Sequence, residues 1–408
     1  MADAQHEVST APHQPPRFPP ARQPGFDPPA EYARYRAECP VAPIALRHGQ
    51  QAWLVTRYAD VRAVLRDHDT FSSDPSRPGF PQLRPVIDKE ARPGSFIVTD
   101  PELHTRYRRM LAGEFTARRT KALIPAIEQT VQDCLDDLLA GPQPADLLER
   151  FALPIPAQLI CRLLGVPYAD REFFISRSRM HTNRVLPAEQ VAAALAELEA
   201  YLDELIGRKL RAPADDLISR LAVDQLSTGR LERAELVGIA TLLLVAGFET
   251  TANSIALSVL ALLEHPDQWA ALVADPDLVD NAVEELMRYL TVVHHGLVRA
   301  VRRDTELSGT RIEAGQGVIV SLHSANHDEA RFDDADELNL RRDADRHVGF
   351  GSGIHQCIGQ LLARVEMQVA LRGLVRAVPT LRLAVPFAQV PFRFDAPIYG
   401  LHSLPVAW

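Results

Sequence analysis

Cys357 closes a glycine-punctuated loop, Phe350-Gly351-Ser352-Gly353-Ile354-His355-Gln356-Cys357-Ile358-Gly359, and stands directly before an apolar run, Ile358 to Leu371, that reads as a helix. A thiolate there would sit at the positive end of the helix dipole, which lowers its pKa and makes it a metal ligand. Gly351 and Gly353 permit a tight loop, and Gly359 lets a flat object approach the helix closely. A cysteine before a helix is also a common small buried hydrophobe. The two glycines, an aromatic seven residues earlier and a histidine two residues earlier favour the ligand.

A second constellation, Ala246-Gly247-Phe248-Glu249-Thr250-Thr251, lies midway along the longest apolar stretch, Leu236 to Leu263. An unpaired carboxylate in such a place costs several kcal/mol, roughly a large share of total stability. A mid-helix threonine tends to bond the carbonyl four residues back, here Ala246, and to bend or open the helix. The Ala246-Gly247 pair leaves room above a flat cofactor. Pairing of Glu249 with a distant arginine is the structural alternative.

The elements that must position these groups are mainly helical. Gln51 to Thr56 reads as a strand and Tyr58 to Arg66 as a helix. The proline- and glycine-rich stretch from Phe71 to Asp100 suggests a lid or binding loop. Helical periodicity then dominates to about residue 290, with examples at Ile124 to Leu139, Val191 to Leu210 and Arg233 to His265. Short strands are expected near Val298 to Val301, Arg311 to Ile312 and Val318 to Leu322. The expected fold is mainly α with small β-sheets in a single domain, residues 26–408, after a disordered leader over residues 1–25 rich in Pro, Gln and Ala.

Composition excludes several classes. The net charge of −9 argues against nucleic acid as the main partner. The four cysteines (Cys39, Cys134, Cys161, Cys357) form no CxxC pair, which disfavours a disulfide framework or an iron–sulfur cluster. Three lysines stand against 41 arginines, a bias of GC-rich genomes. Polar interruptions of the longest apolar run favour a buried core helix over a membrane span, hence a cytoplasmic protein.

The cysteine loop resembles the haem-binding loop of the cytochrome P-450 family, Phe-x-x-Gly-x-His/Arg-x-Cys-x-Gly, with no position missing. The resemblance implies haem b with Cys357 as the axial iron ligand, Phe350 packed beside the sulfur and His355 on a haem propionate. The 246–251 segment resembles the family's oxygen-activation motif. By that resemblance Thr250 hydrogen-bonds the oxygen being activated and Glu249 relays protons. Glu285 and Arg288 resemble the family's Glu-x-x-Arg, with Arg342 as third member and a structural role. As a pair three residues apart they are worth only about 0.2–0.5 kcal/mol if exposed. His104 and Arg108 resemble a propionate clamp, and Arg299 matches the arginine on the strand after the Glu-x-x-Arg helix. Arg106, Arg109, Arg118, Arg119 and Arg364 would form a basic proximal face for an acidic ferredoxin.

The resemblance runs from about residue 26 to Trp408 and is nearest the soluble actinobacterial members that hydroxylate macrolides, other polyketides and lipophilic drugs. It implies a monomeric monooxygenase that hydroxylates or epoxidises a bulky lipophilic natural product. O2 is the co-substrate, and electrons come from NAD(P)H through ferredoxin reductase and ferredoxin. Substrate contacts are expected from the Phe71–Val98 loop, Thr182–Pro187, Leu243–Thr250 (with Leu243 and Phe248), Val292–Val298 (with Val293, His294 and His295) and Ile398–Tyr399. Phe248 stands where His is common in this branch, and His294 and His295 stand where apolar residues are usual. A haem-thiolate sensor or carrier without turnover is the alternative, as is a non-haem metal site built from His347, His355 and Cys357.

Overall fold

The computed structural model describes residues 15–46, 49–83, 91–394 and 396–408. Its organising element is the 32-residue helix Arg233–Glu264. A reciprocal pair starts it: the Glu232 side chain accepts from the Glu235 N–H, and the Glu235 carboxylate accepts from the Glu232 N–H at 2.8 Å. Such a capping box satisfies two of the N–H groups that every helix start leaves unpaired. From Thr251 to Leu262 every residue is buried, so this half is apolar all round because it is enclosed all round. Helices Pro154–Leu164, Ala188–Arg211 and Gln360–Ala377 pack against it. By length and composition it could cross a membrane; here it is the core.

A five-stranded sheet flanks the helices. Its spatial order is Val41–Ala45, Gln51–Val55, Gly317–Val320, Leu297–Val301 and Phe71–Ser72. The register sets Arg299 opposite Val318. The expected strands and helices are thus present, with longer helices: Ala117–Ala140 and Ala188–Arg211 each outrun the periodic stretch that announced them.

Two expectations change. Of the leader over residues 1–25, residues 1–14 lie outside the described residues, but from residue 15 the chain is packed. Arg17 bridges to Ala45, Phe18 is buried, and the Tyr399 hydroxyl donates to the Gly25 carbonyl at 2.8 Å. Proline-rich composition here marks extended chain laid on a sheet edge rather than disorder. In the 71–100 stretch, residues 84–90 lie outside the described residues. Its remainder is anchored by close backbone approaches, the Gly94 backbone lying against Glu235 and Gly238 of the central helix.

The C-terminal hairpin, Phe392–Arg393 paired with Gly400–Leu401, completes the frame. A Cβ at Gly400 would collide with Asn253 Oδ1, which also accepts the Leu401 N–H at 3.3 Å. The bare backbone lets the hairpin dock on the central helix.

Candidate active site

Cys357 lies before the helix proper, which begins at Gln360. Gly351 and Gly353 both take positive φ (73° and 75°), and a Cβ at Gly353 would strike the Leu65 carbonyl. The turn closes when the Cys357 N–H donates to the Phe350 carbonyl at 2.9 Å. The thiol sits deep in the fold yet opens onto an apolar cleft. Burial raises its pKa, against the opposing Gly359 N–H and the charges of Arg108 and Arg364. The expected depression by the helix end therefore does not prevail in the free thiol. The helix starts three residues on, and burial disfavours the unligated anion more strongly. Phe350 carries the Arg364 guanidinium over its ring at 4.4 Å, so this aromatic also braces the following helix.

Across the cleft stand Leu243, Ala246, Gly247 and Thr250 of the central helix. The Thr250 hydroxyl donates to the Ala246 carbonyl at 2.8 Å, as helix geometry favours. Gly247 has a further reason to lack a side chain: a Cβ there would lie 2.8 Å from Ile160 Cδ1 on a neighbouring helix. Glu249 is buried and ion-paired at 2.6 Å with Arg393 of the C-terminal hairpin, and Thr182 donates to its other oxygen at 3.3 Å. The structural alternative, a distant arginine, is realised. Nothing in the sequence pattern signals Arg393, which a tight hairpin brings across.

At the side of this cleft four cationic or imidazole groups converge. His104 is 3% exposed and neither ring nitrogen has a partner. Its ring lies 4.3 Å from that of His355, whose Nε2 meets Ser73 Oγ at 3.1 Å while Nδ1 is unpartnered. Arg299 is 6% exposed and donates from Nη1 to the Val298 carbonyl at 2.7 Å. Burial draws Arg299 down to about 10 and His104 to about 4, the latter helped by the charge of Arg108. His355 falls to about 2, through burial first and then Arg299, His104 and Arg108. Arg108 is lowered by burial as well. Unpaired buried donors under a positive field call for anionic acceptors. A flat group bearing carboxylates fits this frame: a sulfur on one face, a bare helix surface on the other, and orphaned donors at the edge.

A second network underpins the loop. Arg288 and Glu285 are fully buried and joined twice, Nε to Oε2 at 2.7 Å and Nη2 to Oε1 at 2.9 Å. Arg288 also donates to the carbonyls of Asn326, Ala335 and Glu337. Arg342 adds a bond to Glu285 Oε1 at 3.1 Å, and Asn326 Oδ1 accepts from Val348 N–H just before the cysteine loop. The pairing inferred from spacing is thus a buried ion network. The sequence reading missed its neighbour Glu284, which binds His347 at 3.1 Å and Arg364 at 2.6 Å and so ties the loop's start to the helix after it. Burial alone would raise Glu284, but these two partners hold it at about 2. A second glutamate beside Glu285 was the available signal.

Some expected contacts sit elsewhere. Phe248 is fully buried, edge-on to Phe174 at 5.9 Å, and belongs to the core. Val293 and Ile398 form an isolated bridge. His294 Nε2 donates to the Ala396 carbonyl at 2.9 Å, and with His295 it lines a different cavity. Of the basic face, Arg106 is committed to Glu235 and Arg364 to Glu284; Arg109 and Arg118 are exposed. Among the described residues no three of His, Cys, Asp and Glu converge on a metal site, which leaves the His347–His355–Cys357 alternative without a geometry.

The family model for cytochrome P450 matches residues 271–378. Cytochrome P450-SU2 of Streptomyces griseolus is 46% identical over 98% of both chains. Pentalenic acid synthase of Streptomyces avermitilis is 44% identical over 98% of this chain and 100% of its own. The mycinamicin VIII C21 methyl hydroxylase MycCI of Micromonospora griseorubida, solved with mycinamicin VIII bound, superposes with TM-score 0.92 at 41% identity, covering 96% of this chain and 100% of that one. With whole-length identity of this order around the same cysteine-loop architecture, the chain belongs to the cytochrome P450 family and is an oxygen-incorporating oxidoreductase, a monooxygenase.

Proposed function

We propose that the protein hydroxylates a bulky lipophilic natural product of the macrolide or polyketide kind, with a ferredoxin as electron donor in the cytoplasm. The observation that carries this reading is the cleft that sets Cys357 opposite Ala246 and Thr250, with the unpartnered basic edge beside it. Cys357 would hold haem iron as its thiolate ligand, and His104, Arg108, Arg299 and His355 would neutralise the two propionates; the group bound there would supply O2 activation for insertion into a C–H bond.

The chain's own residues do the rest. Thr250 holds a hydroxyl over the reacting centre and passes protons to it. Glu249 resupplies them, which requires its carboxylate to turn away from Arg393 and Thr182 towards the cleft. Leu243 and Ala246 present an apolar wall that suits a lipophilic substrate. The relatives point the same way: two of them are a pentalenic acid synthase and a mycinamicin hydroxylase. Exposed Arg109 and Arg118 give an acidic ferredoxin a face to meet.

The reduced protein under carbon monoxide should show the red-shifted Soret band of thiolate-bound haem; a histidine-type band would overturn the assignment of Cys357. For Thr250→Ala, cofactor consumption should continue while product falls roughly tenfold and peroxide appears. Fully coupled turnover in that variant would remove Thr250 from proton delivery. Macrolide aglycones titrated against the oxidised protein should displace the distal ligand spectrally, and silence across such a panel would reject the substrate class.

A further inference from the structure

Two helices line the cleft of Cys357 with matching stripes. On the central helix the stripe runs from Leu243 to Thr250. On helix Gln360–Ala377 it begins at the N-cap and consists of Gly359, Leu362, Ala363 and Glu366, the three-and-four spacing that puts residues on one face. The first three of these are small or apolar. Glu366 stands two turns beyond Gly359, about 10 Å along the axis. Apart from Cys357 it is the one ionisable group among the described residues that line the cleft.

Its carboxyl has no partner. Oε2 is closed off without a hydrogen bond, and Oε1 has none either but is not closed off. The side chain is 3% exposed, with Ile160, Leu163 and Leu362 along the same wall. Three other glutamates of this region are each neutralised by a cation: Glu249 by Arg393, Glu285 by Arg288 and Arg342, Glu284 by Arg364. Glu366 has no such cation, and burial alone pushes it up to about 8.

An ionised carboxylate in such surroundings is far more costly than the neutral acid, so Glu366 holds its proton at neutral pH. An apolar side chain of similar size would fill the position without that cost. A carboxylic acid kept neutral beside a reaction cleft is suited to giving a proton away. Inserting one atom of O2 and releasing the other as water consumes two protons per turnover, and Thr250 and Glu249 form one route for them.

We propose that Glu366 is a second proton donor to the cleft, acting from the cysteine-bearing side and independently of Glu249 on the central helix. This rests on the monooxygenase reading above. In each turnover the Glu366 O–H bond breaks, its proton passes through water in the cleft towards the centre over which Thr250 holds its hydroxyl, and the carboxylate left behind regains a proton from solvent. No electron moves in this step.

The test uses the oxidised full-length holoprotein. Infrared spectra of the parent minus Glu366→Gln at pH 7 should show the carbonyl stretch of one protonated carboxylic acid, shifted in D2O and fading as pH rises through about 8. In turnover, Glu366→Gln should lose coupled product roughly three- to tenfold, less than for removal of a sole general acid because Glu249 still delivers, and its solvent isotope effect should rise. Glu366→Asp should recover part of both. Absence of the acid band, or a variant with the parent's coupling and isotope effect, would overturn the proposal. The red-shifted Soret band under carbon monoxide, retained in both variants, separates that failure from failure of the haem reading. If Glu366→Gln does not fold, Glu366→Asp carries the comparison, because it should displace the acid band; an undisplaced band would equally overturn the proposal.

Discussion

Arg288 and Arg299 are both buried guanidiniums close to the cysteine loop, and they are finished to very different degrees. Arg288 commits its donors to Glu285 and to three backbone carbonyls, and Glu285 is further held by Arg342 and the Asn339 N–H. Arg299 donates to the Val298 carbonyl and shares its surroundings with His104 and His355, whose ring nitrogens are partly or wholly unpartnered. The first cluster answers only to the fold. The second is complete only with acceptors from outside the chain, which is how a binding edge differs from a structural brace even when both use the same side chain.

That contrast can be broken most severely at Arg288. Arg288→Ala would leave the Glu285 carboxylate and several carbonyls buried without donors, a loss of about 3–5 kcal/mol. Denaturant melts should show it equally in haem-free and haem-loaded protein. A loss confined to the loaded form would mean that the network serves the cofactor and not the fold.

Arg299→Met should behave in the opposite sense. With a buried charge removed, the haem-free protein should be unchanged or more stable by on the order of 1 kcal/mol. Haem transfer to an excess of apomyoglobin should meanwhile quicken about tenfold, as one propionate loses a charge-assisted partner. Haem-free destabilisation with unaltered haem retention would place Arg299 with Arg288 in the brace.

The smallest effect is a pH dependence. His104 has a folded pKa of about 4, below its unfolded value, so the folded state resists protonation. Its contribution is full above about pH 6.5 and is lost as pH falls towards 4, at up to roughly 1.4 kcal/mol per pH unit for one proton. Replacing His104 by Ala should flatten the haem-free stability profile over that window, and bound haem should shallow the slope in the parent protein because propionates favour the charged ring. A profile that is identical with and without the ring would show that His104 does not titrate in the fold.

Local pattern made much of this legible. The loop around Cys357, the acid–alcohol segment and the Glu285–Arg288 spacing are each contained within ten residues, where chemistry and backbone geometry are set by near neighbours. What escaped depends on contacts made across long stretches of chain. Arg393 reaches Glu249 through a hairpin 144 residues on, Asn253 takes up a hairpin glycine, and Glu284 links His347 to Arg364. Position along the chain alone places Phe248 and the two histidines at substrate; burial puts Phe248 in the core, and His294 and His295 line a different cavity.

By itself the sequence determined the kind of iron chemistry, since a thiol, a bare helix turn and a threonine are properties of residue type and short spacing. Only the tertiary structure decided which charges are satisfied. A buried ion is stable or hungry according to what packs against it from elsewhere in the chain, and that is why Arg288 is a brace while Arg299 donates once to the protein and lies among unpartnered imidazoles.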